Sequence, residues 1–315
     1  MALSAITPPR DPLPRCMTWK SLISHRLTGW HLALAGLLAL AGIFVCAEAW
    51  LEILEVAQRD EEYQHIFLVP FVCLWIIWVR RSRFRHCRPS GTFLGPLIVA
   101  AGWGLSWYGF NRQTTSFFHL GAVVVLIGCV ISVLGKNVLF RFFPAILVLG
   151  FLIPAPGDLR QRIAQPLQEW TAQASQLTLD VMGVETERSG NLMFIDGRPV
   201  MIEEACNGMR MVFPLFLIGY AFSFGLPLKQ NVRILIILCS PVVALACNVM
   251  RTVPLIWVQG RNTHLSAADA KAVFDFLHNY GGWIMLPIAF VLLLTVIRML
   301  KWAMVPVQRY TLASQ

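Results

Sequence analysis

A cysteine, an arginine and a histidine stand in three short polar segments of an otherwise apolar chain. The segments are Glu203-Glu204-Ala205-Cys206-Asn207-Gly208-Met209-Arg210, Asn248-Val249-Met250-Arg251 and Phe276-Leu277-His278-Asn279-Tyr280-Gly281-Gly282. A cysteine attacks as the thiolate, and a helix amino terminus or a nearby cation lowers its pKa. Cys206 has both cues, since it opens an apolar run and Arg210 follows four residues on. Histidine shuttles protons at neutral pH, and arginine stabilises an oxyanion. Together these types suit acyl transfer through a thioester. Each also has a plainer reading. Membrane cysteines commonly serve as small apolar fillers. His278 could belong to an interfacial helix announced by Ser266-x-x-Asp269, which has capping-box spacing. Arg251 could be a structural ion-pair partner, although an arginine inside a span costs about 2.5–3.5 kcal/mol on insertion scales and defaults to function. Spacing alone leaves His264 and His278 both open as the acid/base; His278 is preferred for its place beside Gly281-Gly282.

The elements that must position these residues are membrane helices. Of 315 residues, 57% are hydrophobic and 14% charged, against roughly a quarter charged in soluble domains. No Asp, Glu, Lys or Arg interrupts Tyr63–Val79, Pro89–Asn111, Gln113–Gly135, Phe142–Gly157, Met211–Leu228, Ile234–Met250 or Phe276–Ile297, and Trp30–Ala47 is similar. A helix crosses the hydrocarbon core with about 20 apolar residues, and backbone groups must be satisfied internally there. The expected fold is therefore an all-α polytopic membrane protein of about eight transmembrane helices. Their centres fall near residues 39, 71, 102, 125, 149, 218, 245 and 288. Residues 1–29 read as an amino-terminal cytoplasmic segment, 30–300 as the transmembrane domain and 301–315 as a cytoplasmic tail. Ala47-x-Ala49 after the first span has the look of a signal-peptide cleavage site, yet the long leader favours an uncleaved anchor.

Positive charge orients the spans. Arg10, Arg15, Lys20 and Arg26, then Arg80 to Arg88, Lys136, Arg141, Lys229, Arg233, Arg298, Lys301 and Arg309 fall on one side if eight spans alternate. Glu48, Glu52, Glu55, Asp60, Glu61 and Glu62 fall on the other. Both termini are expected in the cytoplasm, and the site on the outer face of a plasma (inner) membrane. The net charge of +9 follows from topology and calls for no nucleic acid. The outer loop, residues 154–205, should carry an amphipathic surface helix. Leu159, Ile163, Leu167, Trp170, Ala174 and Leu177 have helical spacing, and Pro166 is expected to restart that helix at its first turn. A small β-hairpin should follow, Leu192–Ile195 and Pro199–Ile202 about Asp196-Gly197. Eight cysteines are present, but the outer loop holds none before its end, so no disulfide framework is expected. Neither a metal nor a cofactor is expected.

The arrangement resembles the exosortase/archaeosortase family of membrane-embedded cysteine transpeptidases. The likeness rests on Ala205-Cys206-Asn207-Gly208-Met209-Arg210, on Asn248-x-x-Arg251, and on His278 ahead of the last span. His65-Ile66-Phe67-Leu68 resembles the family's early His-x-x-Leu segment, and Pro154-Ala155-Pro156 its central proline motif. The resemblance implies a Cys206 nucleophile, a His278 acid/base and an Arg251 transition-state partner. Arg210, Asn207, Gly208, Asn248, His65 and Glu204 would be binding or supporting residues. It also implies substrates: secreted proteins ending in a short motif, a hydrophobic helix and a basic tail, in bacteria that often produce exopolysaccharide. The usual Cys-Ser-Gly is Cys-Asn-Gly here, which leaves subfamily and recognised motif open, as it does the acceptor nucleophile and oligomeric state. Glu203-Glu204 also resembles the paired glutamates of CaaX-type proteases, but Gly208 stands where their arginine should be. A transporter or exopolysaccharide-assembly component is the alternative. Against it, no paired repeat with broken helices is evident. A membrane scaffold in which the cluster is a structural plug is a third reading.

Overall fold

The computed structural model describes residues 29–86, 93–190, 192–195, 197–201, 208–260 and 267–303. Cys206, Asn207, Glu203, Glu204 and His264 lie outside the described residues, as do the side chain of His278, the first 28 residues and the tail after residue 303.

Helices dominate, as apolar composition dictates. Helices α1 (Gly29–Val45) and α2 (Ala47–Arg59) meet at Cys46 with a bend of 78°. A 3-10 segment, Glu61–Leu68, runs into α3 (Val69–Val79), with Pro70 in the first turn, where its missing N–H costs nothing. Next come α4 (Leu94–Asn111) and α5 (Thr115–Leu134), then the short α6 (Lys136–Arg141) and α7 (Phe143–Val148). After a further 3-10 turn the chain bends by 96° into α8 (Gly157–Val181). A three-stranded antiparallel sheet follows: β1 (Thr186–Ser189), β2 (Leu192–Ile195) and β3 (Arg198–Met201), in that order. Helices α9 (Met209–Gly225), α10 (Gln230–Gly260) and α11 (Ala267–Ala303) complete the described fold.

Seven of the eight expected span centres fall on an α-helix and the one near residue 149 on the 3-10 turn after α7, and helix length narrows which ones can cross. Glu61–Val79, Thr115–Leu134 and Gln230–Val258 are long and apolar enough alone. Among the described residues the count reaches five if the bent pairs α1–α2 and α7–α8 are each one span. Met209–Gly225 and Ile284–Leu300 are shorter apolar helices. Phe44, Phe71, Trp78, Trp107, Leu238 and Val242 are all more than half exposed. Apolar surface on that scale suits lipid and not water.

Small residues set the tightest packing. Gly95, Gly102 and Gly109 recur every seven residues along α4 and face Gly121 and Gly128 of α5. A Cβ at Gly109 would stand 2.3 Å from the Phe118 nitrogen, and one at Gly121 2.4 Å from the Ser106 nitrogen. The two backbones touch, the arrangement that membrane helices use in place of a hydrophobic drive between them. Ser106 Oγ donates to the Phe118 carbonyl at 3.2 Å across the same seam. Farther along, Arg80 Nε and Nη2 donate to the Phe224 carbonyl at 3.2 and 3.1 Å, joining the ends of α3 and α9.

The outer-loop expectations fare unevenly. The hairpin is present: Ile195 pairs with Arg198 about a two-residue turn whose Gly197 has φ +78°. β1 extends it by a strand that the Thr-Glu-Arg-Ser sequence does not announce. Helix α8 is continuous, so Pro166 lies inside it and restarts nothing. Its apolar stripe is exposed at Leu159, Trp170 and Leu177, with only Leu167 of the stripe buried. Gln168, Thr171, Ala172, Ser175 and Leu179 are also buried. The small and polar face fits against α10, leaving the apolar stripe facing outward as an interfacial helix requires. Helix α11 runs unbroken through Gly281-Gly282, so His278 lies within a helix, six residues before the apolar stretch Ile284–Leu300.

Candidate functional site

Helix α9 begins where the backbone turns through Gly208, whose φ of +82° lies in the left-handed region. A side chain there would be strained, and a Cβ would also stand 3.2 Å from Asn248 Nδ2. Glycine at this position thus serves both the turn and the approach to α10.

Asn248 is wholly buried on α10. Its Nδ2 donates to Thr171 Oγ1 of α8 at 3.1 Å, while Thr171 Oγ1 donates to the Leu167 carbonyl at 2.8 Å. With its hydrogen given to Leu167, the Thr171 oxygen is fixed as an acceptor for the amide. Arg251 follows three residues later on the same face of α10 and is 4% exposed. The structure therefore brings Gly208, Asn248 and Thr171 into contact, with Arg251 one helical turn along.

The sheet closes the same end of α10. Met193, Ile195 and Val200 share a buried cluster with Val253, Leu255 and Ile256. A Cβ on Gly260 would lie 2.6 Å from Ile195 Cβ. Both ends of the segment that carries Cys206, β3 before it and Gly208 after it, are thus packed on α10.

Arg210 and His65 lie on another side of α9, against the start of the 3-10 segment. Arg210 Nη1 pairs with Glu61 Oε2. Arg160 Nε of α8 donates to Glu62 Oε2 at 2.7 Å, and its Nη1 is 3.8 Å from Asp60 Oδ2. Tyr63 adds a hydrogen bond from its hydroxyl to the Ala155 carbonyl at 3.1 Å. Four consecutive residues, Asp60 to Tyr63, so hold α8, its approach and α9. His65 is buried, its Nδ1–H donating to the Glu62 carbonyl at 2.9 Å and its ring stacked on Phe213 at 4.8 Å. Because a carbonyl only accepts, Nδ1 carries the proton and Nε2 is left as an acceptor. Among the described residues no three His, Cys, Asp or Glu side chains gather as a metal site would need.

Thr171 and Glu61 are the participants that sequence reasoning passes over. Asp60 to Glu62 register in the sequence only as a mark of topology. The apolar stripe of α8 masks the face at 168, 171, 172, 175 and 179, whose helical spacing is the signal that would have led to Thr171.

A family model described as transmembrane exosortase matches residues 50–295. No curated protein and no solved structure matches the chain.

Proposed function

The chain belongs to the transmembrane exosortase family and is a multi-pass membrane protein of transpeptidase type, and on that premise we propose that Cys206, His278 and Arg251 carry out the transfer. The substrates of this reading are secreted proteins with a carboxy-terminal motif, hydrophobic helix and basic tail. The Cys206 thiolate attacks the scissile carbonyl carbon, and the electron pair moves to the carbonyl oxygen. Arg251 pairs with that oxyanion. Collapse of the tetrahedral species breaks the C–N bond, and the His278 imidazolium gives its proton to the leaving amine. The resulting thioester is attacked by water or by an acceptor hydroxyl or amine. Neutral His278 takes the acceptor's proton, and the Cys206 thiolate leaves.

The observation that carries this reading is the contact between Gly208 and Asn248, with Arg251 one turn further along α10. Cys206 precedes Gly208 by two residues, and chain geometry limits their separation to about 7 Å. A guanidinium near that point is placed to pair with a developing oxyanion. His278 enters through the family pattern, and it sits on the helix that packs on both α9 and α10. The orientation is also proposed: termini in the cytoplasm and Cys206 at the outer face. It is supported by the distribution of Lys and Arg. Reporter fusions at residue 315 and within residues 154–205 check it, and a periplasmic readout at residue 315 reverses it.

Co-expression with a tailed secreted substrate tests the reaction. Tail removal by the native chain and its loss in Cys206→Ala, Arg251→Ala and His278→Ala is the expected pattern. Undiminished processing by Cys206→Ala refutes the assignment.

A further inference from the structure

A cavity of about 420 Å³ opens between α2, the 3-10 segment, α9 and α11. Phe67, Met211 and Leu286 give it apolar walls, while Gln58, His65 and Arg210 add polar groups. Its position ties it to the reacting elements. Arg210 and Met211 form the first turn of α9, directly after the Cys206 segment, and Leu286 lies eight residues past His278 on α11. Eight residues span about 12 Å of helix. Among the described residues, helix α10, which carries Arg251 and Asn248, contributes none to the lining.

Size chooses among occupants. A helix 10–12 Å wide rising 1.5 Å per residue fills roughly 120–170 Å³ for each residue. A volume of about 420 Å³ thus holds about three residues, less than one turn. The cavity cannot enclose a turn of a hydrophobic substrate helix, whereas it can enclose a side chain and the short extended stretch that carries it. Chemistry separates peptide from lipid. An acyl chain would cover the Gln58 and Gln64 side chains with nothing to bond, whereas a peptide backbone brings N–H and C=O groups of its own.

We propose that this cavity is the specificity pocket of the transferase. It receives a bulky apolar side chain from the residues flanking the cleaved bond, with the peptide backbone running past Gln58 and His65. The proposal rests on the cysteine transpeptidase reading. It makes Phe67 and Gln58 specificity-determining residues, neither of which takes part in the chemistry. Both are exposed at the cavity, so substitutions there leave the core untouched.

The test uses the full chain in native membranes with tailed reporters that carry alanine or phenylalanine at each of the three positions on either side of the cut. Phe67→Ala enlarges the pocket and should raise the phenylalanine-to-alanine ratio of kcat/KM about tenfold at one position. Gln58→Trp fills the mouth and should lower the ratio by about as much. The rate of Cys206 alkylation should stay unchanged in both. Ratios that stay constant in both variants while the native chain still processes the reporters overturn the pocket and leave the transpeptidase intact. A separate arm places the photoreactive residue benzoylphenylalanine at position 67 in a Cys206→Ala chain. Crosslinks mapped to the extended segment just ahead of the reporter's hydrophobic helix support the pocket even if no processing is seen, an outcome that would count against the transpeptidase reading alone. Crosslinks confined to phospholipid assign the cavity to lipid and overturn the proposal.

Discussion

Replacing Thr171 by valine keeps the shape of the side chain and removes one oxygen. In the native chain that oxygen accepts from Asn248 Nδ2 at 3.1 Å and donates to the Leu167 carbonyl at 2.8 Å, at a position with no solvent exposure. The Leu167 carbonyl keeps its place in the α8 ladder, so losing the hydroxyl there costs little. Asn248 loses an acceptor where water cannot substitute, and a buried donor deprived of its partner costs about 1–3 kcal/mol. That corresponds to roughly 5- to 150-fold in the equilibrium between folded and unfolded chain. Asn248 also touches Gly208 and precedes Arg251 by one turn, so part of the cost should appear as misplacement of the reacting groups. Thr171→Ser keeps the hydroxyl and loses only a methyl group. The assay pairs a denaturing-detergent titration with processing of a tailed substrate. Thr171→Val should shift the midpoint by the equivalent of about 1–3 kcal/mol and slow processing, while Thr171→Ser stays near the native chain in processing. A Thr171→Val chain as stable and as active as the native one refutes the claim that this hydrogen bond sets the site.

Other expectations follow from the same contacts. Gly109→Ala places a Cβ 2.3 Å from the Phe118 nitrogen and should destabilise α4 against α5 by about 1–3 kcal/mol in thermal denaturation. Gly104→Ala meets nothing within 4 Å and should be neutral or slightly stabilising, so equal effects would dismiss the glycine seam. Glu61→Gln breaks the pair with Arg210, but Glu61 is 57% exposed, so less than about 1 kcal/mol of stability should be lost. The double exchange Glu61→Arg with Arg210→Glu should recover part of that loss in a denaturant titration, and a chain no better than the worse single variant argues against the pair. A spin label attached through Leu177→Cys should collide more with lipid-dissolved oxygen than with a water-soluble nickel chelate, because the stripe of α8 that carries Leu177 faces away from the protein. The reverse order removes α8 from the membrane surface.

Much of this protein is legible in one dimension. Long runs without a charged residue and the scarcity of charge overall force a helical membrane fold, because unpaired backbone groups and ions are both costly in hydrocarbon. The tight turn joining Ile195 to Arg198 follows from the local backbone preference of an Asp-Gly pair. Chemical type and order were enough to single out Cys206, Arg251 and His278 as the candidates. Contact was a different matter. The apolar stripe of α8 marked a membrane-surface helix but not the face that meets α10, which includes Thr171, Ala172 and Ser175. Where lipid is the solvent, apolarity no longer tells which side is inside, and close approach by small or hydrogen-bonding residues decides it. For the same reason the glycines of α4 and α5 carry no signal in the hydropathy pattern and are in the fold the close seam between the two helices. Asp60 to Glu62 marked only a side of the membrane. Their pairing with Arg160 and Arg210, about a hundred residues or more away along the chain, depends on side chains that meet only once the helices have packed. Hydropathy is a property of each residue and its neighbours, so the sequence determined the membrane class and the reactive residue types. Which helix faces meet is a property of shape across the whole chain, so only the tertiary structure decided that Gly208, Asn248 and Thr171 form one contact beside Arg251.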